Sequence, residues 1–321
     1  MNMRRSTLRA LAGGWACIAT ALAAAQDSQR SATSPPEDVS WTTRDGVEVR
    51  ATYFPSAEGR KATTLVLLHD FNETRAAYQS LAAALQDPVR ARLAGTQTRA
   101  VLTVDLRGHG QSKTALSPDG DAFELDASRF QAADFANMVE FDLEAVRDFL
   151  VRRNDRGELN LNQLCLAGVG MGANVAAAWA EKDWLTPNLP ARKQAQDVKA
   201  LVLISPRWNY KGLSMAEPLR VPAIQSELAV FLAYGDQDAK VADDGQNIYK
   251  LLSKFRPEIP VEKLRERQTL FRYPLPTTLQ GLELVNRSAF GVLERIDGFV
   301  AARLDRQSYP WFERLERSPR R

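Results

Sequence analysis

Histidine is the scarcest useful residue in this chain of 321: only His69 and His109 occur, and none follows them. Chemistry that needs a general base near neutral pH must draw on the first third of the chain or on a carboxylate. Cysteine is equally scarce. Cys17 lies in an N-terminal apolar run, so Cys165 is alone in the rest of the chain, which excludes an internal disulfide. Cys165 falls within Leu164-Cys165-Leu166-Ala167 and reads as a small buried hydrophobe. Two histidines on different loops and one buried thiol give no metal-ligand spacing. There is no internal repeat, low-complexity tract, glycine-rich phosphate loop or other cofactor motif.

Basic excess is also missing once the N-terminus is set aside. The formal charge of +3 comes from Arg4, Arg5 and Arg9; without them 39 basic residues face 39 acidic ones. That balance gives no electrostatic reason to expect nucleic acid as a partner. The three arginines precede an apolar run from Ala10 to Ala23, followed by Ala23-Ala24-Ala25 and then Gln26-Asp27-Ser28-Gln29. This is the pattern of a secretory signal peptide over residues 1–25, cleaved near Ala25. The run is too short for a membrane span. The expectation is a periplasmic or extracellular protein with no span in its mature chain.

Residues 26–38, rich in Ser, Pro and charge, read as a disordered linker. A single domain is expected over 39–305, followed by an Arg-rich tail, 306–321, solvated or lightly docked. Trp41 to Thr43 and Val47 to Phe54 alternate around Asp45-Gly46, which predicts an N-terminal antiparallel hairpin. Thr64–Leu68, Ala100–Val104, Leu164–Ala167, Ala200–Ile204 and Val230–Ala233 are continuous apolar runs, as in strands covered on both faces, with Phe271–Tyr273 as a candidate sixth. Helical patterns lie between them, over 75–85, 135–151, 172–181, 243–255 and 288–304. The alternation predicts an α/β fold with a mostly parallel, doubly wound sheet and helices on both faces. Function then belongs in the loops at the carboxyl ends of the strands.

Those loops carry the informative residues. Leu68-His69-Asp70-Phe71 follows the third strand, and Asp105-Leu106-Arg107-Gly108-His109-Gly110-Gln111-Ser112 follows the fourth. In order, spacing and strand context they resemble the oxyanion segment and the D-x-R-G-x-G-x-S loop of α/β-hydrolases, with Asp70 where the first has glycine. The fifth strand runs into Gly168-Val169-Gly170-Met171-Gly172-Ala173, which resembles the G-x-S-x-G elbow with Gly170 where the nucleophilic serine stands. The resemblance covers about Trp41 to Leu304 and implies the α/β-hydrolase fold with little or no cap, since Pro206–Leu228 is short for one.

By the same resemblance, Asp238 in Tyr234-Gly235-Asp236-Gln237-Asp238 stands at the acid position and Gln280 at that of the histidine. Glutamine cannot act as a base near neutral pH. With no histidine to orient, Asp238 reads rather as the cap of a following helix, expected near Asp243. His69 has a packing role or a role facing the site. Arg107, available to pair with Asp105, and His109 brace a turn. The backbone N–H groups of Phe71 and Met171 take the positions that bind an oxyanion.

Without serine and histidine, the resemblance implies a non-catalytic relative that binds a small molecule or a protein in the old cleft, with His69, Phe71, Met171, Asp238 and Gln280 as contacts. One alternative is a hydrolase in which Asp238, Asp236 or His69 activates water. The other is a structural or partner subunit whose cleft is filled by side chains.

Overall fold

The structure is a computed structural model that describes residues 34–190 and 193–314. The expected signal peptide, residues 26–33 of the expected linker and residues 315–321 of the tail lie outside the described residues.

Eight strands form the central sheet: β1 (Glu37–Thr42), β2 (Glu48–Phe54), β3 (Thr63–Leu68), β4 (Ala100–Asp105), β5 (Asn160–Val169), β6 (Val198–Ile204), β7 (Ala229–Gly235) and β8 (Leu270–Leu275). Their order across the sheet is β1-β2-β4-β3-β5-β6-β7-β8. β1 and β2 run antiparallel, β2 is antiparallel to β4, and the remaining pairs are parallel. The N-terminal hairpin and the sixth parallel strand are thus both present. β1 begins at Glu37, two residues before the expected domain start, and the Ser34 carbonyl accepts a hydrogen bond from Gln86 at 3.0 Å. The end of the linker is therefore part of the fold.

The helices are α1 (Gln79–Gln86), α2 (Pro88–Ala94), α3, α4 (Met171–Leu185), α5 (Ala239–Ser253) and α6 (Val292–Val300), besides shorter turns. α3 is composite: Ala132–Asn137, a π-helical stretch Met138–Asp142, and Leu143–Asp155. α2 was not foreseen; Asp87 caps it, Pro88 opens it and Gly95 ends it in the left-handed region. The expected helix over 288–304 begins only at Val292, because Gly291 interrupts it with a positive φ.

Alternation within the strands builds two cores. Val66 and Leu68 of β3 pack with α3 and α4, whereas Leu65 and Leu67 pack with α1 and α6 on the other face. Cys165 is fully buried in the second core, and burial pushes its thiol up to about 12.

One expectation about charge is corrected. Arg107 does not pair with Asp105. It donates to Asp142, on the π-helical stretch, and to Asp45 of the hairpin turn, while Asp105 takes Arg75. A carboxylate with no exposure needs charged donors in close contact, and α3 brings Asp142 within 2.6 Å of the guanidinium. The tail, as far as Arg314, is docked although most of its residues stay exposed: Asn160, Asn162 and Asn154 donate to the carbonyls of Tyr309, Pro310 and Phe312, Arg60 lies 4.1 Å over the Trp311 ring, and Arg314 is fully buried. These amide side chains sit on α3 and β5, where sequence alone gives no sign of their partners.

Candidate functional site

The site is built where β3, β5, β6 and β7 end. Gly168, Gly170 and Gly172 make the sharp turn from β5 into α4. A Cβ on Gly168 would lie 2.2 Å from the Gly172 carbonyl oxygen, and one on Gly172 would lie 2.3 Å from that of Leu68. Neither position has room for a side chain. Gly170, at the apex, has φ +50° and ψ −114°, a region that costs other residues on the order of 1–3 kcal/mol.

What fills the apex comes from the neighbouring loop. The carboxyl of Asp70 lies where a side chain on residue 170 would go: a Cβ there would be 2.1 Å from Asp70 Cγ. Asp70 Oδ1 accepts from the backbone N–H of Phe71 and from that of Met171, both at 2.7 Å. The two amides expected to converge on an oxyanion do converge, and the oxygen they hold belongs to the chain itself. Hydrogen bonds of this charge-assisted kind contribute about 1.5–3 kcal/mol each.

His69 fixes this arrangement. It is fully buried; its Nδ1 donates to the Asp70 carbonyl at 2.7 Å and its Nε2 accepts from the Leu106 N–H at 3.0 Å. An imidazole that accepts a backbone N–H is neutral, and burial holds its pKa down at about 4. The His109 ring lies tilted against that of His69, 5.0 Å away, and meets the edge of Phe71 at 5.3 Å; its pKa is also lowered, by burial. Glu73 accepts from the Asp70 N–H at 3.1 Å and from the Tyr78 hydroxyl at 2.6 Å.

Gln280 is equally committed. Its Oε1 accepts from Ser205 Oγ at 2.8 Å and from the Gly235 N–H at 3.1 Å, and its Nε2 donates to the Gly235 carbonyl at 2.9 Å. Ser205 Oγ in turn accepts from the Gly281 N–H at 2.9 Å. The amide thus ties the ends of β6 and β7 to the loop after β8. Asp238 caps α5: its Oδ1 accepts from the N–H groups of Lys240 and Val241, each at 3.1 Å. α5 begins at Ala239 rather than near Asp243, because the cap sets the boundary. Asp236 is exposed beside it.

The segment over the cleft is small and ordered. Asn209–Tyr210 pairs with Leu213–Ser214, and Tyr210 packs 6.4 Å from Phe71 and 5.6 Å from Phe135. Burial, and then the charge of Asp70, push the Tyr210 hydroxyl up to about 12. Lys211 lies 4.5 Å over the Phe71 ring. Asn174 of α4 holds this segment by donating to the carbonyls of Arg207 and Leu213. Sequence reasoning missed Asn174, whose only signal is one amide among alanines. It also missed the role of Asp70, although the carboxylate in place of glycine was visible.

A model of the alpha/beta hydrolase family matches residues 65–321, and the chain belongs to that family. Among solved structures it is similar to the esterase Pf2001 of Pyrococcus furiosus, with TM-score 0.55, 15% identity, and coverage of 84% of this chain and 93% of the esterase. It is likewise similar to EstE1, a thermophilic carboxylesterase cloned from a metagenomic library, with TM-score 0.54, 14% identity, and coverage of 88% and 97%. The alpha/beta hydrolase GrgF from Penicillium sp. gives TM-score 0.51, 15% identity, and coverage of 84% and 99%. At these identities the likeness shows a shared fold. No curated protein sequence matches the chain.

Among the described residues no helix is long and apolar enough to cross a membrane, and no group of three metal-ligating side chains comes together.

Proposed function

We propose that this protein is an exported, non-catalytic member of the alpha/beta hydrolase family that works by binding. The observation that carries the proposal is the Asp70 carboxylate, which accepts from both oxyanion-hole amides and fills the space above Gly170. A substrate carbonyl and this carboxylate cannot share the same two N–H groups, and residue 170 has no nucleophile to present. In a measured serine protease, loss of the serine or the histidine alone costs on the order of a millionfold in turnover. Here glycine and glutamine stand at both positions.

The alternative in which His69 or Asp238 activates water finds little support. Both nitrogens of His69 are taken by backbone groups, and Asp238 is engaged as a helix cap. The sealed floor favours binding at the rim, around Phe71, Tyr210 and Lys211, over binding at the elbow. It also favours the second reading, a partner subunit with a filled cleft. Export rests on residues 1–25, and N-terminal sequencing of secreted protein should begin near Gln26; secreted protein that retains Met1 would contradict cleavage.

The test is turnover of nitrophenyl esters by the purified mature chain. The expected result is hydrolysis at the buffer rate. Turnover that disappears in Asp238→Asn or His69→Gln would overturn the proposal. A panel of small molecules in thermal unfolding separates the two binding readings, because a ligand of the native state must raise Tm.

A further inference from the structure

Away from the cleft, two arginines and two aspartates are shut inside the protein where the C-terminal segment docks. They are Arg147 of α3, Asp183 of α4, Asp197 just before β6, and Arg314, none more than 1% exposed. Arg147 Nη2 donates to Asp197 Oδ2 at 3.2 Å and to the Gln194 carbonyl at 2.7 Å. Arg314 Nη1 lies 2.6 Å from Asp197 Oδ1 and 3.4 Å from the Lys193 carbonyl. Asp183 Oδ2 accepts from the N–H groups of Asp197 and Val198.

The donors outnumber the acceptors. Among the described residues, Nε and Nη1 of Arg147 and Nε and Nη2 of Arg314 have no partner, and beyond the Asp197–Arg314 ion pair the partnerless side-chain oxygen of this group is Asp183 Oδ1. Each Nε carries one proton and each Nη two, so six buried N–H groups lack an acceptor. Buried guanidinium protons left unmatched are costly, about 1–3 kcal/mol or more per group. A trapped water would add two donors of its own to a group already rich in donors. A guest that only accepts fits better. Lys193, with Nζ 3.8 Å from Asp197 Oδ1, adds further positive charge.

We infer that a small inorganic anion of halide size is held by Arg147 and Arg314 and completes the clamp that fastens the Tyr309–Arg314 segment to the domain. Its role is structural, and it is independent of the cleft. Because the anion binds only when the segment is docked, its binding stabilises the folded chain.

The experiment uses the mature full-length protein. Thermal unfolding is followed with sodium chloride, sodium bromide or sodium gluconate at matched ionic strength, and crystals are soaked in bromide for anomalous diffraction. The expected result is a saturable rise in Tm of a few degrees with either halide over gluconate, and a bromide peak between the two guanidinium groups. In Arg314→Met and Arg147→Met the halide-specific rise should vanish. Equal effects of the three salts, or a bromide map with no peak there, would overturn the inference; the map requires no variant, so a misfolded substitution does not shield it.

Discussion

The carboxyl carbon of Asp70 lies 2.1 Å from the point that a Cβ on Gly170 would occupy, so the two residues cannot both carry ordinary side chains in this arrangement. Asp70 fills the space beside Gly170, with one oxygen on the N–H groups of Phe71 and Met171.

Gly170→Ser should therefore destabilise the protein by about 3 kcal/mol or more, from backbone strain and from displacing Asp70 out of two charge-assisted hydrogen bonds. Adding Asp70→Gly should recover part of that loss, because the clash disappears while the strain remains. A double-mutant cycle from urea unfolding measures the coupling. Strictly additive effects would show that the two residues do not compete for space.

Asp70→Ala should vacate the hole without collapsing it, since Asp70 is only half-buried and water can enter. A cost of about 1–3 kcal/mol is expected, with faster hydrogen exchange at the amides of Phe71 and Met171 and little change at β3. Hydrogen-exchange mass spectrometry reads this directly.

The stability of the protein should fall as the pH drops from 6.5 toward 4. His69 has its pKa lowered from 6.5 to about 4 in the folded state, so between those values the unfolded chain binds the proton and the folded chain does not. The contribution is therefore complete above pH 6.5 and declines toward pH 4, by an amount on the order of 3 kcal/mol. His109, lowered in the same direction, adds to the slope. His69→Gln should flatten the curve, and an NMR titration of the His69 ring checks the pKa even if that variant folds poorly.

Asp238 separates a cap from a catalytic acid. Asp238→Ala should cost about 1 kcal/mol and Asp238→Asn close to nothing, because asparagine caps as well as aspartate. Thermal unfolding of both variants measures the difference. A large loss in the asparagine variant would mean that the charge, not the cap, is what the residue supplies.

Much of the fold was legible because it rests on short-range pattern: apolar runs of strand length, the Asp45-Gly46 turn and the glycines of the elbow all appear in order along the chain. Gly170, Asp238 and Gln280 lie in loops that follow those strands in sequence order. What was not legible depends on residues distant in sequence. Arg107 chose Asp142 and Asp45 over its near neighbour Asp105 because α3 and the hairpin bring those carboxylates to it. The burial of Arg314 has no local sign, since nothing nearby in sequence marks Asp155 and Asp197 as its partners. Asp70 was visible as a departure from glycine, yet its consequence depends on a distance across two loops.

The most direct test of the sealed hole is NMR on the isotopically labelled mature chain, following the Asp70 carboxyl carbon and the amide protons of Phe71 and Met171 through one pH titration. If Asp70 Oδ1 accepts from both amides, their proton shifts should move together, with the same midpoint as the carboxyl, and both responses should be absent in Asp70→Asn. Amide shifts that ignore the titration of Asp70, or only one that follows it, would contradict an oxyanion hole filled by the chain's own carboxylate.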